Sequence, residues 1–317
     1  MKCSLAHSFN IIVILGPTAS GKTELAVRLA YDIGGEILSG DSRQVYRGMD
    51  LGTGKDLHAF KLKEKTIPYH LIDIVDPVYE YNLFEYQKEF YRAFEEIQNR
   101  RAIPILAGGS GLYIESVITG YDMVHVAPDP AFHRELEKYD MELLRRRYLD
   151  LHPALHNITD LRDRKRLIRA IEIEERSREE RQVQKDAEPL IRPFVTGVRI
   201  RRNILHERIM NRLLDRLDQG MIEEVEKLRS GGLCWEKIDY FGLEYRYIGQ
   251  YLQGILSYKE MIEVLATRIR QFAKRQETWF RRMERKGIVI HWFDFGDYRA
   301  LANLIETHVI KYHGNTI

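Results

Sequence analysis

Ile11-Ile12-Val13-Ile14-Leu15-Gly16-Pro17-Thr18-Ala19-Ser20-Gly21-Lys22-Thr23 decides the fold. Five apolar residues run straight into a loop bounded by glycines and ending in Lys-Thr. The spacing G-x-x-x-x-G-K-T lets successive backbone N–H groups curl around phosphate oxygens, with Lys22 as a point charge and the Thr23 hydroxyl as a ligand for Mg²⁺. From Glu24 to Ile33, Leu25, Ala26, Leu29, Ala30 and Ile33 recur at helical spacing, so a helix N-terminus points at the bound anion. The eight loop residues do not choose between ATP, GTP and another phosphate compound.

Outward from the loop the same grammar recurs. Glu36-Ile37-Leu38-Ser39 reads as a short strand leading to the polar segment Gly40-Asp41-Ser42-Arg43-Gln44-Val45-Tyr46, which places Asp41 at the carboxyl end of a strand, where α/β sheets gather functional groups. Asp41 or Ser42 serves equally well as a cap of a helical turn. Arg47 to Lys55, rich in glycine and small polar residues, reads as a second loop lining the substrate. Tyr69 to Pro77 reads as a strand ended by a turn. Asn82 caps a helix to about Arg100 with Phe84, Phe90, Phe94 and Ile97 on its buried side. Ile103 to Ala107 is a further apolar strand, followed by Gly108-Gly109-Ser110-Gly111-Leu112-Tyr113 and a helix, which brings Ser110 to the same sheet edge. Three strand-turn-helix units predict a parallel sheet with flanking helices.

Near Ala127-Pro128-Asp129-Pro130 the texture changes. Two long helical patterns follow, Ala131 to about Leu151 and Leu161 to about Arg178, with Arg145, Arg146, Arg147, Arg162, Arg164, Lys165, Arg166 and Arg169 partly answered by Glu172, Glu174 and Glu175. Phe194 to Ile200 returns to strand character, and a helical region from Asn203 sets Arg208 and Arg212 four apart on one face. Tyr240-Phe241-Gly242-Leu243-Glu244-Tyr245-Arg246-Tyr247 mixes aromatic rings with arginine, as base-stacking surfaces and ordinary cores both do. The helix from Ser257 to about Arg285 carries Arg268, Arg270, Lys274, Arg275, Arg281, Arg282 and Arg285 around Gln276, Trp279 and Phe280. The whole chain has a formal net charge of only +2, so this local excess implies a partner of high negative charge density. Ile288 to Phe293 reads as a last strand.

At 317 residues, 44% hydrophobic and 30% charged, the chain is long enough for two domains and excludes wholesale disorder. Its two cysteines, Cys3 and Cys234, lack metal-ligand spacing and fit a reduced, cytoplasmic setting. No stretch reaches the roughly 20 apolar residues of a membrane helix, and Ile11 to Leu15 is too short for a signal core.

The ordered set Gly16–Thr23, Asp41–Tyr46, Gly48–Thr53, Gly108–Tyr113, Lys165–Ala170 and Lys274–Trp279 closely resembles the tRNA dimethylallyltransferases over about residues 10 to 293. The resemblance implies a P-loop NTPase-like α/β fold, with residues 1–127 and 193–317 as catalytic core and an inserted all-helical domain at 128–192 that contacts tRNA. It implies transfer of a dimethylallyl group from its diphosphate to N6 of adenosine 37, beside the anticodon, in tRNAs reading codons that begin with U. Asp41 is then the base on the adenine amine, Thr23 a contact to the diphosphate and, directly or through water, to Mg²⁺, Arg212 a charge partner of the diphosphate, and Ser110 a residue lining the site. Gly16, Pro17, Thr18, Ala19, Ser20, Gly21, Lys22 and Thr23 hold the diphosphate. Asp41, Ser42, Arg43, Gln44, Lys165, Arg166, Arg169, Phe241, Tyr245, Arg246, Lys274, Arg275, Gln276, Trp279 and Arg281 face the anticodon stem-loop of a tRNA bound by a monomer. The chain departs from the family pattern in two places. It reads Glu244-Tyr245-Arg246-Tyr247 where many bacterial members read Gly-Tyr-Arg-Gln, and His133-Arg134 where an arginine is common after Asp-Pro. The zinc finger of some eukaryotic members is absent. The alternatives are an adenylate prenyltransferase using free nucleotide, a P-loop kinase of a small metabolite, and a non-enzymatic RNA-binding module.

Overall fold

Ile11–Leu15 forms a strand, β1, because a short β-branched run with no polar residue is suited to a sheet buried on both faces, and all five residues are buried. The computed structural model describes residues 3–5, 8–123, 126, 129–151, 161, 163–180 and 189–312. Around β1 assemble β2 (Gly35–Gly40), β3 (Tyr69–His70), β4 (Ile103–Gly108), β5 (Pro193–Arg199) and β6 (Ile290–Asp294). The order is β3-β2-β4-β1-β5-β6, and every pairing is parallel. The register sets Leu15 against Gly108 on one side and Gly197 on the other. The loops after β1, β2 and β4 therefore leave from a single carboxyl edge.

Alternation along β1 divides the core. Ile11, Val13 and Leu15 pack with α2 (Leu83–Asn99), α3 (Gly111–Ile118) and the later helices, whereas Ile12 and Ile14 face α1 (Lys22–Ile33) and the helix Tyr298–His308. A reciprocal capping box of Asn82 and Glu85 starts α2, and Tyr86, Phe90, Phe94 and Ile97 are buried along it, while Phe84 is only half-buried.

The described chain divides into two compact units, Met1–Tyr121 with Leu190–Ile317, and Asp122–Pro189. In the second, the expected single helix from Ala131 is two, α4 (Pro130–Leu136) and α5 (Met141–Leu151), because Asp140 accepts the Leu143 N–H (2.8 Å) and restarts the helix. With α6 (Arg164–Glu180) they enclose a small core of Leu136, Leu144, Tyr148, Leu167, Ile168 and Ile171. Arg162, Ala127 and Pro128 lie outside the described residues.

The first unit continues through α7 (Arg202–Asp218), α8 (Met221–Ser230), α9 (Trp235–Tyr240), α10 (Leu243–Leu252) and α11 (Tyr258–Arg285), the last started by a Ser257–Glu260 capping box. One expectation fails here: Tyr69 to Pro77 is strand only at Tyr69 and His70. Leu71 and Asp73 take φ of 65° and 55°. The chain turns there because the Asp73 carboxylate joins Asp50 and the Tyr46 carbonyl around the fully buried Lys55 ammonium.

The Gly108-Gly109-Ser110-Gly111 turn lets α11 lie against the sheet edge. A Cβ at Gly111 would sit 2.3 Å from the Trp279 ring, and one at Gly109 2.4 Å from Gln276 Nε2. Gly111→Ala is expected to destabilise the protein by about 1–3 kcal/mol through overpacking. Urea unfolding of the variant, with an unchanged dependence on denaturant, checks this.

Candidate active site

Three strand ends build the site. After β1 the chain curls through Gly16–Gly21, with Ala19 at φ 63° and Gly21 at φ 73°, directly before α1 begins at Lys22. The loop is latched from outside. Gln276, buried on α11, accepts the Thr18 N–H (2.8 Å) and donates to the Gly109 carbonyl (2.9 Å), tying the first and third strand ends together. From α7, Arg208 donates to the Ala19 carbonyl (2.8 Å) and stands over the Phe295 ring, while Arg212 donates to the Thr18 hydroxyl.

After β2, Asp41 accepts the Arg43 N–H (3.0 Å) in a local turn, and Ser110 accepts the Ser42 N–H (3.2 Å) across the edge. Gln44 bridges the Ser39 hydroxyl (2.8 Å) and the Gly54 carbonyl (3.1 Å). Arg43 donates to the Tyr240 carbonyl (2.8 Å) and lies over the Tyr240 ring. The following loop is fixed by Glu224 of α8, which accepts the N–H groups of Asp50 (2.8 Å), Leu51 (2.8 Å) and Gly52 (3.1 Å) and the Tyr245 hydroxyl (2.7 Å).

These segments enclose a cavity of about 290 Å³ faced by Thr18, Lys22, Thr23, Asp41, Ser110 and Arg212. Arg216, Asp56 and Glu244 face it too; Arg216 is bound to both Asp56 carboxylate oxygens (3.0 Å each). Lys22, half-buried and turned to the cavity, is enclosed by protein, and burial lowers its pKa from 10.5 to about 8, with Asp41 opposing. Burial also brings Arg212 down to about 10, helped by Arg216 and Arg208. Burial pushes Glu244 up, against the pull of Arg212 and Arg216. Desolvated cations with few anionic partners favour a multiply charged anion in the cavity.

The remaining candidate residues are placed in several ways. Phe241 and Tyr245, read as facing RNA, are each 1% exposed. Phe241 packs at a steep angle against Tyr46 and Tyr245 in the core and also lines the cavity, so neither ring offers a stacking surface on the outside of the protein. Arg246 pairs with Asp239 (2.5 Å). Gln276 is a buried latch rather than a surface contact, and Trp279 donates to the buried Glu115 (2.7 Å). Lys274, Arg275 and Arg281 are exposed on α11 and, among the described residues, in no ion pair. In the helical unit Lys165 and Arg166 are exposed, whereas Arg169 is engaged by Glu172 and the Val126 carbonyl. Arg216, Asp56 and Glu244 were missed as site residues. The i+4 step from Arg212 to Arg216 on α7 was the available signal.

An all-parallel sheet whose first strand delivers a glycine-bounded, cation-lined loop to its carboxyl edge defines a phosphate-binding α/β protein of the P-loop class. Residues 44–283 match the IPP transferase family model. The chain is 54% identical to tRNA dimethylallyltransferase 1 of Syntrophus aciditrophicus, covering 94% of this chain and 97% of that protein. It is 50% identical to tRNA dimethylallyltransferase 1 of Geotalea uraniireducens over the same shares of the two chains. The crystal structure of the full-length tRNA isopentenylpyrophosphate transferase of Bacillus halodurans superposes with a TM-score of 0.67 at 31% identity, covering 94% of this chain and 96% of that one. The chain belongs to the tRNA dimethylallyltransferase family and is a transferase; these relatives favour neither a kinase nor an enzyme of free nucleotide.

The Lys22 environment yields a pH dependence. A bound anion stabilises the ammonium, so binding above pH 8 takes up a proton that the free protein has lost. Affinity for inorganic pyrophosphate, corrected for the anion's own ionisation, is expected to be level below pH 8 and to fall by up to about tenfold per pH unit above it. Calorimetry at pH 7 and 9 in buffers of different ionisation enthalpy measures both the affinity and the proton uptake. In the free protein the sign for stability is opposite. Charged Lys22 opposes folding below pH 8, and that penalty fades as pH rises toward 10.5.

Proposed function

We propose that this transferase moves the dimethylallyl group of dimethylallyl diphosphate onto N6 of adenosine 37 of tRNAs reading codons that begin with U, giving N6-(dimethylallyl)adenosine. The observation that carries the assignment of roles is that Asp41, Lys22, Thr23 and Arg212 face one cavity. The loop N–H groups, Lys22 and Arg212 hold the diphosphate, with the allylic carbon directed toward Asp41.

The exocyclic amine of adenine is a weak nucleophile. As the C–N bond forms and the allylic C–O bond breaks, nitrogen becomes positive and its proton passes to the Asp41 carboxylate. The electron pair of the C–O bond leaves with diphosphate. Negative charge therefore grows on oxygen beside Lys22, Arg212 and the N-terminus of α1, where preorganised donors are worth most. Ser110, hydrogen-bonded to the Ser42 backbone, holds the Asp41 turn at the edge of the cavity.

The oxygen donors facing the cavity, the Thr23 hydroxyl and the Asp41 and Asp56 carboxylates, suit Mg²⁺. Among the described residues no group of three or more His, Cys, Asp or Glu forms a closed metal cage. Mg²⁺ would be held by Thr23 and the diphosphate itself. When bound, it would neutralise charge on the leaving group.

Adenosine 37 must leave its stack to reach Asp41, at a cost of about a few kcal/mol. Lys274, Arg275 and Arg281 on α11 and Lys165 and Arg166 on α6 offset this through phosphate contacts. The protein acts as a cytoplasmic monomer. No helix among the described residues is long and apolar enough to cross a membrane.

Asp41→Ala is expected to lower the rate of prenyl transfer by about 10²–10⁴ while leaving tRNA affinity near that of the wild type. Mass spectrometry of tRNA nucleosides, with filter binding alongside, tests both halves; undiminished transfer refutes the base assignment. Lys274→Ala with Arg275→Ala is expected to do the reverse, weakening tRNA binding and reducing the slope of log affinity against log salt by about 1–2. A salt titration of binding measures it.

A further inference from the structure

Three carboxylates face the cavity, Asp41, Asp56 and Glu244. Asp56 is bound on both oxygens to Arg216, and Asp41 is placed for the proton. Glu244 has neither task. It stands in the first turn of α10, and among the described residues it forms no ion pair, although Arg212 and Arg216 line the same cavity. Arg212 is turned to Thr18 and Arg216 to Asp56. Arg212 and Arg216 attract the Glu244 carboxylate across the cavity without pairing with it, so its charge is only partly answered.

What it does follows from the shape of the site. The loop Gly16–Thr23 has the spacing of loops that hold nucleotides, and its residues do not limit the length of the phosphate chain. Lys22, Arg212 and Arg216 would attract a triphosphate more strongly than a diphosphate. Behind Arg212, Arg216 and Glu244 lies a recess of about 10 Å³, closed by Ile209, Leu213 and Ile269. It has room for about one water molecule and none for a phosphoryl group. A third phosphoryl would therefore stay in the main cavity, which Glu244 also lines.

We propose that Glu244 is a specificity-determining residue of the phosphate site, whose negative charge makes the cavity discriminate against polyphosphates longer than a diphosphate, nucleoside triphosphates above all. The inference rests on the diphosphate reading above. The mechanism is repulsion rather than a missing contact: a like charge set where the wrong ligand, and not the right one, adds its own. Burial pushes the Glu244 carboxyl up while Arg212 and Arg216 favour its charged form, and a charge in so enclosed a place is poorly screened. Gly242, the residue before α10, gives no side-chain cap, so the competing role for Glu244 is to support that helix end. A cap changes stability; it does not change the choice between anions.

The experiment measures, by calorimetry on the full chain with Mg²⁺, the affinities of inorganic pyrophosphate and inorganic tripolyphosphate for the wild type, Glu244→Gln and Glu244→Met, with melting temperatures alongside. Both variants are expected to raise the tripolyphosphate-to-pyrophosphate affinity ratio by about tenfold, and a rise above about threefold supports the proposal. A ratio within about threefold of the wild type overturns it, whatever the melting temperature does. If one variant fails to fold, the other decides. The ratio needs no turnover, so it is read separately from the activity assay: a wild type that binds pyrophosphate but leaves dimethylallyl diphosphate and tRNA unchanged contradicts the proposed function and not the role of Glu244.

Discussion

Lys22, Arg212 and Arg216 are drawn into one enclosed volume before any substrate arrives, and like charges under low dielectric repel. Burial and mutual repulsion lower the pKa of Arg212, and burial lowers that of Lys22 further against the attraction of Asp41. Each charge is kept in place by something rigid. Arg216 is bound to Asp56, Arg212 rests on Thr18, and Lys22 begins a helix rooted in the central strand. The packing around the cavity thus holds three cations close together, an arrangement that a polyanion would relieve. In the proposed reaction the same charges face the bond that breaks, so one set of side chains would serve both binding and leaving-group stabilisation.

The sheet and α11 act together in this. The carboxyl edge supplies three loops, and nothing within the sheet fixes their mutual spacing to the accuracy chemistry needs. Gln276 does so with one amide, taking a hydrogen from the phosphate loop and giving one to the turn after β4. The helix that supplies this latch also carries Lys274, Arg275 and Arg281 on its outer side. Its inner face sets the geometry of the cavity, and its outer face carries exposed positive charge.

Legibility in the sequence followed the range of the forces involved. Strand, loop and helix around Gly16–Thr23 could be read because period, glycine spacing and capping are local, and the same holds for Asn82 and Ser257 as caps. The parallel sheet followed from the repeated strand-turn-helix order. Tyr69–Pro77 misled because its alternation is that of a strand, whereas its path is set by a buried ammonium contributed from Lys55. Tyr245 lies in the core, and Phe241 both packs there and lines the cavity, yet an aromatic ring beside arginine is written the same way whether it stacks on a base or fills a core. Burial separates the two, and burial is a property of the whole fold. Arg216, Asp56 and Glu244 come from three separated stretches, and no local pattern in the chain announces that they meet.

Glu224 closes a backbone surface of the kind that binds anions. Its carboxylate gathers the N–H groups of Asp50, Leu51 and Gly52, the same kind of concave backbone surface that Gly16–Thr23 offers to a ligand. The protein therefore builds two anion receptors on neighbouring loops and plugs one with its own side chain. The plugged receptor is a permanent self-complex that stiffens a wall of the cavity.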